Sequence, residues 1–340
     1  MILDSEHALE ECLSNPSDAD SEAMAGHKGE LLILGAGGKM GPSLARRAKR
    51  AALRANPGLR IIAVSRFGQG PLASQLQNEG IETLACDLLR PGSLAALPDA
   101  RNVIFMAARK FGTTGSAHLT WGMNTFLPGL VAERYRASRI VAFSTGNVYP
   151  LRPVTEGGSV ESSATGPTGE YAQSALGRER MFEYGSSQWG TPVALLRLNY
   201  AIDLRYGVLL DVARAVFENR PVDLHMGMVN VIWQGEANSI CLRSFSHCAA
   251  PPFLLNVTGP ETLSVEFLAR EFGERFQVVP RFEGQSATTA LLNNAAKAHQ
   301  LFGYPAVTVG QMIDWTADWV RNGRPTLDKP THFQVRDGNF

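Results

Sequence analysis

Charge of either sign is in no excess in this sequence: lysine and arginine total 32, aspartate and glutamate 32, and the net charge is zero. A chain without a basic surplus has no built-in attraction to nucleic acid or to an anionic membrane surface. Long hydrophobic runs are missing too, none reaching the roughly 18–20 residues of a membrane span. The first residues include Asp4, Glu6, Glu10 and Glu11, where a secretory leader needs basic residues and then an apolar core, so a cytoplasmic protein is expected. Cysteine is scarce: Cys12, Cys86, Cys241 and Cys248 have no metal-ligand spacing and read as reduced thiols. The histidines, at 7, 27, 118, 225, 247, 299 and 332, form no metal-binding pattern either, and no metal is expected.

Apolar residues make up 44% of 340, enough to bury a full core as one large α/β domain or a domain with an appended lobe. The chain is organised around residues 30–41. Leu31 to Leu34 are apolar without alternation, as in a strand buried on both faces of a parallel sheet. Glycines follow at 35, 37, 38 and 41, and then helix formers up to Ala55. Strand, glycine turn and helix are the context in which such a motif binds a dinucleotide. Gly35 allows the tight turn, Gly38 the approach of a pyrophosphate, and Gly41 close packing of helix on strand. Gly35, Gly37, Gly38, Lys39, Met40 and Gly41 are therefore the candidate phosphate cradle.

A second strand, Arg60 to Ser65, ends in Ser65-Arg66 where an acidic residue would hold the adenine ribose of NAD. A carboxylate repels a 2′-phosphate, whereas serine and arginine can bond it, so NADP is favoured and NAD remains possible. A solvated loop is the other reading of Arg66. Strands are further expected at Ile81–Cys86, Val103–Ala107 and Arg139–Phe143, with helices at 117–137 and from about 170 to Trp189. Small residues after the fourth strand, Ala107 and Ala108, let a cofactor approach the backbone, with Arg109-Lys110-Phe111-Gly112 beyond them. This alternation predicts a Rossmann-type doubly wound parallel sheet with a smaller C-terminal α/β substrate lobe. The expected organisation is an N-terminal helix and polar linker over 1–28, a dinucleotide-binding domain over 29–200, a substrate lobe over 201–325, and a surface tail over 326–340.

With these pieces in order, the chain resembles the extended short-chain dehydrogenase/reductase superfamily, in its NAD-dependent epimerase/dehydratase branch. The resemblance is carried by the glycine turn, Asp87-Leu88, Ala107-Ala108, Asn124, Ser144-Thr145 with Val148-Tyr149, and Tyr171 with Glu179 eight residues on. Downstream it continues in Arg197-Leu198-Asn199, Val231–Ala237 and Asn256–Gly259. It implies that Asp87 holds the adenine and Leu88 lines its pocket, with Arg109 and Ser144 also beside the cofactor. It also implies that Thr145 binds the substrate oxygen and Tyr171 exchanges the hydroxyl proton while hydride passes to or from nicotinamide. A dimer pairing the helices at 117–137 and 168–189 is likewise implied.

Two departures from the family pattern stand out. The lysine expected four residues after the tyrosine is Ala175; oxidised nicotinamide can supply part of the charge that favours the tyrosinate, and Lys110 is the candidate substitute cation, with Arg109 and Arg178 as weaker ones. Nucleotide-sugar members resemble one another in an arginine just before the Val231–Ala237 element, whereas here Met226-Gly-Met-Val-Asn230 has no cation. A diphosphate without a positive partner is costly to enclose, which favours a free sugar, sugar acid or lactone over a nucleotide sugar. Asn124, Asn199, Tyr200 and Arg205 are the candidate substrate contacts. The expected function is NAD(P)-dependent redox or epimerase chemistry on a carbohydrate-like hydroxyl or ketone. The alternatives are a nucleotide-sugar epimerase or dehydratase, and a cofactor-binding regulator without turnover.

Overall fold

Leu31 to Leu34 are fully buried, and their strand β1 (Glu30–Leu34) is third from one edge of a seven-stranded sheet. The other strands are β2 (Arg60–Ser65), β3 (Glu82–Ala85), β4 (Asn102–Phe105), β5 (Arg139–Thr145), β6 (Val193–Leu198) and β7 (Phe253–Val257). Their spatial order is β3-β2-β1-β4-β5-β6-β7 and every pairing is parallel. The order reverses beside β1, between β2 and β4, which opens a crevice at the strands' carboxyl ends. The computed structural model describes residues 3–110 and 115–338, so Phe111 and Gly112 lie outside the described residues.

Helices cover both sheet faces in two apolar layers. One joins Leu31, Ile33, Leu44 and Ala48 to Leu255, and the other joins Leu32, Val64, Phe105 and Leu127 to Phe182. A third core belongs to the C-terminal lobe, where Trp233, Phe272 and Trp319 are almost wholly buried. The expected helix at 117–137 is divided: Ala117–Trp121 and Leu127–Arg134 flank a wider π-type turn at Gly122–Phe126. The next helix, Gly169–Trp189, runs unbroken to Gly190, whose φ of +69° ends it.

The N-terminal segment differs from its expectation. Helix α1 (Glu6–Ser14) forms with Ser5 accepting the Ala8 N–H, but the stretch read as a linker contains a second helix, α2 (Asp18–Ala25). A reciprocal capping box between Ser17 and Asp20 starts it. Leu9 and Leu13 enter the lobe core, while Glu10, Glu11 and Asp20 meet Arg46, Arg50 and Arg47 of α3 (Gly41–Ala55). The two helices thereby join lobe and sheet domain from behind the glycine turn.

The tail also differs. After Arg321 no further helix or strand forms among the described residues, yet Thr331 and Phe333 are buried. Phe333 belongs to the lobe core, so this segment is part of the packed molecule rather than a surface appendage.

Candidate active site

The carboxyl ends of β1, β4, β5 and β6 lie side by side, so the segments that leave them face one crevice. Gly35 has a φ of +96°, and a Cβ there would sit 2.6 Å from the Ala107 nitrogen. A Cβ on Gly37 would overlap the Ser65 hydroxyl, and one on Gly41 the Ala36 carbonyl. The turn is thus pressed against β2, β4 and its own helix, and only glycine fits. Helix α3 begins behind Met40 without a side-chain cap, has Pro42 at its start and carries no acidic residue in its first turn. Pro42 has no N–H, and Gly41 and Leu44 donate to the Gly38 and Met40 carbonyls. It is therefore the helix dipole and the close approach that the glycines allow, rather than a row of free N–H groups, that fit the cradle to a dinucleotide pyrophosphate.

Where the adenine was expected, Asp87 is exposed and its carboxylate accepts the Leu89 N–H at 3.1 Å, while Leu88 is buried. Ser65 lies against the glycine turn, and Arg66 is exposed beyond it. Ala107 is buried and Ala108 opens onto the crevice.

Next to the cradle is a cavity of about 300 Å³. Thr145, Tyr171, Lys110, Lys39, Asn199 and Tyr200 all line it, with Gly38, Met40, Ala108 and Ser144. Thr145 ends β5 with its hydroxyl accepting the Asn147 N–H at 3.2 Å, and Tyr171 stands in the first turn of α4 (Gly169–Trp189). Ser144 turns its own hydroxyl inward onto Glu179, a buried carboxylate that Arg197 grips at 2.7 and 3.0 Å. Tyr200 holds a left-handed backbone, φ +41°, and burial pushes its phenol pKa up.

Ala175 is fully buried among Val148, Tyr149 and Leu176, so the position one turn after Tyr171 faces packed side chains rather than the cavity. The cations come from elsewhere. Lys110 donates to the Thr331 carbonyl at 3.2 Å, and burial lowers its pKa to about 8 against a smaller opposing pull from Asp211. Lys39, expected on the phosphates, instead reaches the Ala201 carbonyl at 2.7 Å and lies 4.5 Å from the centre of the Tyr206 ring. Burial lowers it too, to about 8, with Asp203 opposing.

Of the expected substrate contacts, Asn124 and Arg205 do not line this cavity, and Arg109, expected beside the cofactor, does not line it either. Asn124 is fully buried in the π-type turn, and its amide is spent on both backbone groups of Arg109, the Ser174 hydroxyl and Arg178. Arg109 is held by that contact and donates to Ser116 at 3.1 Å. Arg205 is consumed by Asp203 and Glu10, at 2.7 and 2.6 Å, and so ties the lobe to α1. Sequence reasoning missed Tyr206 and Thr331. The Tyr206-Gly207 pair before the lobe helix Val208–Phe217 carried a weak signal, whereas nothing local marks Thr331 within its polar tail.

No family model matches this chain, and no curated protein matches it. Solved structures do. DesIV, a dTDP-glucose 4,6-dehydratase from Streptomyces venezuelae solved with NAD and TYD bound, aligns with a TM-score of 0.73 at 17% identity, over 86% of this chain and 97% of its own. A UDP-glucose 4-epimerase from Thermotoga maritima gives 0.71 at 14% identity, over 86% and 99% of the two chains. A UDP-glucuronic acid 4-epimerase from Bacillus cereus, in complex with NAD, gives 0.70 at 16%, again over 86% and 99%. The chain has the fold of the nucleotide-sugar epimerases and dehydratases. Among the described residues, no helix is long and apolar enough to cross a membrane, and no group of three or more potential metal ligands occurs.

Proposed function

We propose that this protein is an enzyme of the epimerase/dehydratase type, performing NAD(P)-dependent redox chemistry at a carbohydrate hydroxyl or ketone. The observation that carries the reading is the shared cavity of Thr145 and Tyr171 beside an uncapped glycine turn. A bound nicotinamide would accept or return the hydride. Thr145 would hold the reacting oxygen by hydrogen bond, and Tyr171 would take its proton in oxidation and return it in reduction. Lys110 would stabilise the tyrosinate in place of a lysine at 175. A neutral Tyr171 still donates a proton, so reduction depends less on that cation than oxidation does. Ser65 and Arg66 favour NADP, while the solved neighbours named above carry NAD, so both cofactors belong in the test.

The printed substrates of those neighbours are nucleotide sugars, and one observation supports that class here. Met226 to Asn230 has no cation of its own, but the tail brings Arg336 against the Met226 sulfur at 3.7 Å and the His225 carbonyl at 3.2 Å. Arg336 lines a small cavity that shares Asn147 and Tyr200 with the main one. The neighbours' substrates thus favour a nucleotide sugar over the free sugar as the leading substrate class, with Arg336, which also donates to the Thr289 carbonyl and hydroxyl at 2.8 and 2.6 Å, as the candidate cation for its diphosphate. A cofactor-dependent binding protein is the second reading, supported by the buried Ala175. A two-fold dimer through the divided helix and α4 is supported by the exposed Leu119, Trp121, Phe126 and Tyr184 on them.

The test follows nicotinamide absorbance over nucleotide sugars, sugars, sugar acids and lactones with NAD and NADP, products being checked by NMR because epimerisation regenerates its cofactor. Turnover lost about 10²–10⁴-fold in Tyr171→Phe, with cofactor still bound, supports the enzyme. Tight cofactor binding with no product from any substrate supports the binding protein instead.

A further inference from the structure

Gln234 and Asn238 stand one turn apart on the helix Gln234–Arg243, and both are fully buried. Each donates its side-chain N–H at 3.0 Å to the same atom, the Ser43 hydroxyl oxygen, from 191 and 195 positions away in the chain. Ser43 lies in the first turn of α3, is 1% exposed, and donates its hydroxyl in turn to the Met40 carbonyl at 3.1 Å. That hydroxyl thereby uses its one donor and both of its acceptor sites. The other half of each amide is left over: Gln234 Oε1 and Asn238 Oδ1 are sealed from water and meet no donor. Met40 in turn ends the glycine turn, and Gly38, Lys39 and Met40 all line the cavity. The same distant element grips the turn from its other side. Lys39 donates to the Ala201 carbonyl at 2.7 Å, and Ala201 is paired with Ile232, two residues before Gln234.

An amide oxygen stripped of water without a partner costs at least as much stability as the single bond of the same amide returns. Apolar side chains of similar shape would fill both sites without that cost, so packing does not account for two amides here. What the amides fix is the Ser43 hydroxyl, and through it the Met40 peptide, where the turn becomes helix. At that peptide the positive end of the helix dipole meets the cradle. We infer that Gln234 and Asn238 are positioning residues for the cofactor: acting through Ser43, they hold the glycine turn in the form that accepts a dinucleotide pyrophosphate. This rests on the dinucleotide reading above and adds to it two residues that line no part of the cavity.

The experiment titrates the full chain with NAD and with NADP by calorimetry, beside urea denaturation without cofactor. Gln234→Met and Asn238→Leu remove the donors and keep the space filled. Each is expected to weaken binding of the preferred cofactor roughly five- to tenfold, while the denaturation midpoint holds or rises. Ser43→Ala should give a similar loss, and adding Gln234→Met to it should cost little more, because the amide acts through the hydroxyl. Ser239→Ala is the control. Its hydroxyl bonds Asp20, which holds Arg47 further along α3. This variant should lower the midpoint and leave cofactor affinity within about twofold. Unchanged affinity in Gln234→Met and Asn238→Leu overturns the inference. A loss of affinity that comes only with a lowered midpoint assigns the amides to packing and overturns it too. A wild type that binds neither NAD nor NADP overturns the dinucleotide reading and this inference together, whereas wild-type binding with unaltered variants removes the inference alone.

Discussion

Thr331 accepts the Lys110 ammonium on its backbone carbonyl at 3.2 Å, although 221 positions separate them. Its N–H and hydroxyl are held by Asp211 of the lobe helix Val208–Phe217, and Phe333 is buried in the lobe core. The tail thus bridges the lobe to the loop after β4 and forms one wall of the cavity. A chain ending at Pro330 is expected to show a sugar KM raised roughly five- to tenfold, with cofactor affinity changed by less than about twofold. Steady-state kinetics beside cofactor titration check this; an unaltered KM would reduce the tail to packing.

Asp20 and Arg47 form a buried pair at 2.6 Å, and the Ser239 hydroxyl donates to the same carboxylate at 2.6 Å. Asp20→Ala would leave a guanidinium buried without its anion, and about 3–5 kcal/mol of stability should be lost in urea denaturation. Arg50 and Glu11 bond on the same helix face but remain in reach of solvent. Glu11→Ala should therefore cost under about 1 kcal/mol. Similar losses for the two variants would contradict the dependence on burial.

Lys39 and Lys110 each titrate near pH 8, both lowered chiefly by burial. Asp203 raises Lys39 while Arg205 and Lys110 lower it, and Asp211 raises Lys110. Charge is present below pH 8 and lost above it. With Lys110 proposed to stabilise the Tyr171 anion, kcat/KM for oxidation should fall as pH rises through about 8, and Lys110→Met should lack that limb. The stability effect has the opposite sense. Between about 8 and the unfolded value of 10.5 the unfolded chain binds more protons, so these lysines favour folding increasingly as pH rises across that window. Chemical denaturation at pH 7.5 and 9.5, with Lys39→Met alongside, measures it.

Phe126 is 60% exposed at the end of the π-type turn, and Tyr184 is 58% exposed on α4. Phe126→Glu should shift the proposed dimer toward monomer in analytical ultracentrifugation, with cofactor binding retained. An unchanged sedimentation coefficient for a dimeric wild type would move the interface elsewhere.

The fold was legible where one short segment carried its whole reason. The apolar run at Leu31–Leu34 required burial on both faces, and Arg60–Ser65 forms with the boundaries its pattern implied. Helix α2 was hidden because its eight residues bury only Asp20 and Met24, so its stability comes from a cap and an ion pair rather than an apolar stripe. Arg205 and Asn124 looked available because a sequence does not show that Glu10 and Asp203 claim the one, and Arg109, Ser174 and Arg178 the other.

By itself, then, the sequence determined the parallel sheet and the glycine turn, because hydrophobic period and glycine conformation act over a few residues, while the candidacy of Thr145 and Tyr171 was implied by the family resemblance. The tertiary structure alone decided which cations reach the cavity. Ala175 packs against Val148 and Tyr149, Lys39 crosses to Ala201, and Thr331 arrives on Lys110 from the far end of the chain. Those contacts depend on how long side chains and distant backbone share one enclosed space, and no local pattern encodes that.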